Sequence, residues 1–69
     1  MIEVDVRGFM CPVPLMRTKA ALGSSPERLV VLASDGTAKT NVMHLLQDEG
    51  YSVAVTEDGD DFRIEATRS

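Results

Sequence analysis

The chain opens on strict alternation. Ile2, Val4 and Val6 are apolar, while Glu3, Asp5 and Arg7 between them are charged. That period of two predicts a half-buried strand. Gly8-Phe9-Met10 reads as a short connection. A helical pattern then runs from about Pro12 to Leu22 and stops at Gly23, a residue suited to closing a helix. After the loop Ser24-Ser25-Pro26, Leu29 to Ala33 are continuously apolar, which predicts a central strand covered on at least one face. Ser34-Asp35-Gly36-Thr37 reads as a turn. A second helix is expected from Asn41 to Glu49, with Thr40 or Asn41 as its N-cap and Gly50 beyond its end. Tyr51, Val53 and Val55 alternate again. Glu57-Asp58-Gly59-Asp60-Asp61 reads as a hairpin loop, and Phe62, Ile64 and Ala66 mark the last strand.

The order is therefore β-α-β-α-β-β, an α/β (α+β) arrangement. Three of the four strands alternate, so the sheet should be dry on one face only. Two helices on that one face complete a two-layer sandwich. No linker, repeat or low-complexity segment divides the chain, and residues 1–69 are expected to form a single domain. A chain of this length buries a thin core and has no room for a deep, walled active site. Its chemistry should sit at an exposed loop or helix end, or be shared with a partner.

Composition narrows the function classes. The longest apolar run, Leu29 to Ala33, is far too short to span a bilayer. Residues 1–10 lack the basic segment and long apolar core of a secretory signal, and one unpaired cysteine fits a reducing interior. A cytoplasmic setting is the expectation. The net charge of −4 is uneven: residues 1–23 hold three bases against two acids, and residues 24–69 hold four bases against nine acids. With no basic stripe, and only Phe9, Tyr51 and Phe62 as aromatics, direct nucleic-acid binding is not expected.

The residue with a distinct chemical role is Cys11, the single cysteine, in Cys11-Pro12-Val13-Pro14 between the first strand and the first helix. It has no second cysteine with which to form an internal disulfide. A zinc site would want several Cys or His ligands. A thiolate at a helix start faces N–H groups without partners and the positive end of the helix dipole, which lowers its pKa below the free value of about 8.5. The two prolines remove two of those donors, so the expected shift is modest. They also stiffen the backbone beside the sulfur, which reduces the ordering cost when a partner docks. The plainer alternative is a small buried hydrophobe, a common fate of free cysteine.

The stretch Asp5-Val6-Arg7-Gly8-Phe9-Met10-Cys11-Pro12-Val13-Pro14-Leu15-Met16-Arg17-Thr18-Lys19 resembles the signature of the TusA/SirA family of small sulfur-carrier proteins. Its marks are an acidic residue, an Arg/Leu-Gly step and a Cys-Pro-x-Pro opening the first helix. The likeness continues in pattern through the apolar second strand, the Asp35 turn, the helix ending at Gly50 and the closing hairpin. It implies a four-stranded mixed sheet with the last strand antiparallel to the others, and a persulfide carried on Cys11. Members often place an acidic residue near the start of the second helix, where this chain is read to have Asn41. The motif is shared by members linked to tRNA thiolation, cofactor sulfuration, sulfur oxidation and selenium metabolism.

The expected function is thus a sulfur carrier with sulfurtransferase character. A donor such as a cysteine desulfurase would load Cys11, and an acceptor protein of a sulfur relay would unload it. No cofactor and no metal are expected, and the chain should act as a monomer. Arg7, Gly8, Pro12, Pro14, Met16 and Lys19 are the candidate partner-binding residues. Phe9, Met10, Val13 and Met16 offer an apolar docking patch or, alternatively, partial core packing. The plainer role of Asp5, Arg7 and Gly8 is to set the loop by an ion pair and a positive φ. Arg17 is expected to point away from the sulfur. His44, the single histidine, falls opposite Val42, Leu45 and Leu46 on the helical wheel and should face solvent. The competing function is a non-catalytic regulatory or redox-sensing interaction module.

Overall fold

The protein is seen in a computed structural model that describes residues 2–9, 12–24 and 26–68. Six elements follow one another: β1 (Ile2–Asp5), α1 (Val13–Leu22), β2 (Arg28–Ala33), α2 (Gly36–Asp48), β3 (Tyr51–Asp58) and β4 (Asp61–Arg68). The strands form one sheet in the order β1-β2-β4-β3. β1 lies parallel to β2, with Ile2 opposite Leu29 and Asp5 opposite Leu32. β4 is antiparallel to both its neighbours, β2 and β3. The result is the expected mixed sheet, with β4 inserted between the two strands that α2 connects.

The core forms where alternation points apolar side chains at the helices. Leu29, Val31 and Ala33 of β2, Ile64 and Ala66 of β4 and Tyr51 of β3 meet Ala38, Val42 and Leu46 of α2. From α1, the half-buried Leu15 and Leu22 pack onto this cluster. Pro14 and Thr18 of α1 are fully buried. The Thr18 hydroxyl donates to the Pro14 carbonyl at 2.9 Å, so a polar group enters the interior with its hydrogen bond made. Val30 faces away from the helices by alternation, yet it is buried. It is the central member of the row Glu3, Val30, Glu65, flanked on both sides by long side chains.

Two boundaries differ from the pattern reading. α2 begins at Gly36, not at Asn41, because Asp35 is its N-cap: the Asp35 carboxylate accepts from the Ala38 N–H at 3.3 Å. Thr40 and Asn41 therefore lie inside the helix, and the Thr40 hydroxyl bonds back to the Gly36 carbonyl at 3.0 Å. Burial of Ala38 and Val42 draws Gly36 and Thr37 into the first turn despite their weak helix propensity. The hairpin is also tighter than expected. β3 and β4 pair out to Asp58 and Asp61, leaving the two-residue turn Gly59-Asp60 with Gly59 at φ +64°. No described helix is long and apolar enough to cross a membrane.

Topology gathers four segments at one end of the sheet. β1, β2 and β3 run in the same direction, so the chain leaves each of them at that end. The loop after β1, the start of α1, the Ser34-Asp35 step into α2 and the β3–β4 turn all meet there. At the opposite end, Leu22, Glu49, Tyr51 and Arg68 line a shallow depression. There the Tyr51 hydroxyl donates to the Pro26 carbonyl at 2.6 Å.

Candidate functional site at the crowded end of the sheet

Cys11 and Met10 lie outside the described residues, and the site is built from what adjoins them. On the C-terminal side, Pro12 is the N-cap of α1, with φ −97° and ψ 10°. The helix thus starts at Val13, one residue later than the pattern suggests. Its first intrahelical bond runs from the Met16 N–H to the Pro12 carbonyl at 3.1 Å. The four N–H positions without a helical acceptor are those of residues 12–15. Prolines at 12 and 14 carry no N–H, so Val13 and Leu15 supply the remaining two. No described side chain caps this end, and no acidic residue occupies its first turn. Among the described residues, nothing caps the positive end of α1.

Pro14 was expected among the partner-binding residues, but it is fully buried. It lies in the first turn of α1. Pro12 is exposed. Met16 is 63% exposed and Phe9 is 40% exposed, so these two large apolar side chains stand in solvent. Val13 is half-buried. Lys19 is exposed in the last turn of α1, where its charge complements the negative end of the helix. The Arg17 guanidinium stacks over the Phe9 ring at 4.2 Å. At an exposed site such a contact contributes about 0.5–1 kcal/mol. His44 is exposed on α2, where the helical wheel puts it.

On the N-terminal side, residues 6–9 form a tied loop. Val6 is buried, and its N–H donates to the Leu32 carbonyl at 2.8 Å. Arg7 makes a forked contact with Asp5, Nε to Oδ1 at 3.0 Å and Nη2 to Oδ2 at 2.9 Å. The Arg7 N–H also donates to Asp5 Oδ1 at 3.0 Å. These side-chain and backbone hydrogen bonds lower the Asp5 pKa to about 2, and the two carboxylates around Arg7 push its own pKa upward. Nη1 of Arg7 reaches Asp61 Oδ2 at 3.3 Å, which ties the loop to the start of β4. The Gly8 N–H donates to the Ser34 hydroxyl at 3.0 Å. Gly8 has φ +79°, with no atom within 4 Å of where a Cβ would stand. It is glycine for its backbone angle, not for want of space. Arg7, read from sequence as a docking residue, has its guanidinium engaged within the protein.

Sequence reasoning passed over two residues here, Ser34 and Asp61, and did not link Arg17 to Phe9. The Asp61 contact spans 54 residues and the Ser34 contact 26, and no local pattern reports either. Among the described residues, no three His, Cys, Asp or Glu side chains gather as metal ligands would.

The family profile described as Sulfurtransferase TusA matches residues 2–68. A protein of Methanocaldococcus jannaschii, named as a proposed sulfur carrier, is 36% identical over 67 aligned residues, covering 93% of this chain and 89% of that one. The crystal structure of a SirA-like protein from Desulfitobacterium hafniense superposes with a TM-score of 0.85 at 25% identity, covering 97% of this chain and 96% of that one. With nearly its whole length matched, this chain belongs to the TusA sulfurtransferase family.

Proposed function

We propose that this protein is a sulfur carrier that holds a sulfane sulfur on Cys11. A donor protein bearing a persulfide, such as a cysteine desulfurase, presents R–S–SH. The Cys11 thiolate attacks the terminal sulfur and forms a new S–S bond. The bond between that sulfur and the donor breaks, and its electron pair leaves on the donor as a thiolate. Cys11 then bears the S–SH group, and an acceptor protein takes the outer sulfur by the same exchange. No net oxidation accompanies either step. Transfer into tRNA thiolation is one relay that such a carrier serves. The chain acts as a monomer in a reducing cell interior, and its chemistry is completed by its partners.

The observation that carries this reading is the start of α1, which no described side chain caps and which follows the single cysteine in sequence, in a chain of this family. An open helix start favours an anion at the residue before it, and both the thiolate and the persulfide are anions. Exposed Phe9 and Met16 provide apolar area for a docking protein, and exposed Lys19 provides charge. The test is intact mass after incubation with a cysteine desulfurase and L-cysteine. The protein gains one sulfur atom, and Cys11→Ser gains none. If partner-dependent function persists unchanged in Cys11→Ala, the chain is an interaction module instead.

A further inference from the structure

The loop that leads into Cys11 is held from outside by side chains that no local motif contains. The Gly8 N–H sits on the Ser34 hydroxyl at 3.0 Å, and Arg7 bridges Asp5 and Asp61. Ser34 lies between β2 and α2, and Asp61 opens β4, so the two anchors come from two different strand ends. Arg17 of α1 stacks over Phe9. The Phe9 N–H closes the turn on the Val6 carbonyl at 3.3 Å. Ser34 is exposed, and the Asp61 side chain is a third exposed, so neither is part of the packed core.

We infer that Ser34 and Asp61 are positioning residues for sulfur transfer: they fix residues 7–9, and through them the backbone entering Cys11, in the orientation a donor protein must meet. This deepens the carrier reading and rests on it. A protein donor aligns two sulfur atoms across an interface, so a loose loop must be ordered during docking, at a cost comparable to immobilising a side chain or two. A small alkylating reagent needs no such alignment. The two kinds of reaction should therefore separate when the anchors are removed.

The experiment compares wild type with Ser34→Ala, Asp61→Asn and the hydroxyl-retaining Ser34→Thr. Three quantities are read: the rate of sulfur uptake from a purified cysteine desulfurase supplied with L-cysteine, the rate of Cys11 alkylation by iodoacetamide, and amide hydrogen exchange at Gly8. Ser34→Ala and Asp61→Asn should each slow uptake by about threefold to tenfold, while alkylation changes by less than about twofold. Gly8 exchange should accelerate in Ser34→Ala, and Ser34→Thr should restore both uptake and exchange protection. Uptake at the wild-type rate in both variants overturns the inference. So does a parallel fall in alkylation, which would mean that these side chains act on the thiol itself. If the wild-type protein takes up no sulfur, the carrier reading fails separately. Gly8 exchange then still tests the clamp, and unchanged exchange in Ser34→Ala would remove it.

Discussion

The two helices pack on the same face of the same sheet, and both begin at its crowded end, yet their starts are built in opposite ways. α2 is closed by Asp35, whose carboxylate takes the Ala38 N–H and sets a negative charge against the positive end of the dipole. α1 begins on Pro12 with no described side-chain cap and no acid in its first turn. Two prolines hold its geometry, where α2 relies on a hydrogen bond. The first arrangement is what a helix needs for its own stability. In the second, no described group accepts from the N–H groups of Val13 and Leu15, and the residue that precedes the cap in sequence is Cys11. The difference separates a helix end closed by its own side chain from one that, in the proposed function, serves an anion.

The comparison can be broken by removing what stabilises α2. Leu46 is fully buried at the centre of the cluster, and Leu46→Ala should cost about 2–5 kcal/mol. A domain this small has a total stability of only about 3–5 kcal/mol, so thermal or urea unfolding should show a fold that is barely retained. Asp35→Ala removes the cap and should cost about 1 kcal/mol, read as a lower urea midpoint at unchanged slope. The converse change sharpens the contrast: Pro12→Asp gives α1 the cap it lacks. Stability should rise by about 0.5–1 kcal/mol, while sulfur uptake slows, because a carboxylate now competes for the open N–H groups and repels the sulfur anion. Gly8→Ala meets no steric obstacle but must hold φ +79°, and the strain should cost about 1 kcal/mol.

The smallest expected effect is that of acid on the loop tie. The folded Asp5 pKa is lowered to about 2 from its ordinary 3.8. A lowered carboxylate contributes stability that is present in full above the ordinary value and declines as pH falls toward the folded one. The Asp5–Arg7 pairing should thus persist at pH 4 and be lost below about pH 2. Following the Arg7 side-chain resonances through an acid titration checks this, and Asp5→Asn should abolish the transition.

Much of this was legible in the sequence. Ile2-Val4-Val6 and Tyr51-Val53-Val55 announce their strands by alternation, and Leu29–Ala33 announces the central one. What escaped did so for physical reasons. Gly36, Thr37 and Thr40 are weak helix formers, and Ser34-Asp35-Gly36-Thr37 has turn chemistry, so the start of α2 is visible only once Ala38 is seen to be buried. Asp58 and Asp61 look like loop residues because edge and end positions of a sheet tolerate charge. Pro14 and Thr18 form the buried side of α1 without looking apolar. The anchors of the cysteine loop, Ser34 and Asp61, are set by topology, which brings four chain ends together. Nothing within ten residues of Gly8 points to either.

The most direct test of an open, anion-favouring helix start is the rate of Cys11 alkylation by iodoacetamide as a function of pH. The account predicts a midpoint modestly below the value of about 8.5 for a free thiol, moving upward in Pro12→Asp. A midpoint at or above that value in the wild-type protein, or a thiol that does not react, would contradict it.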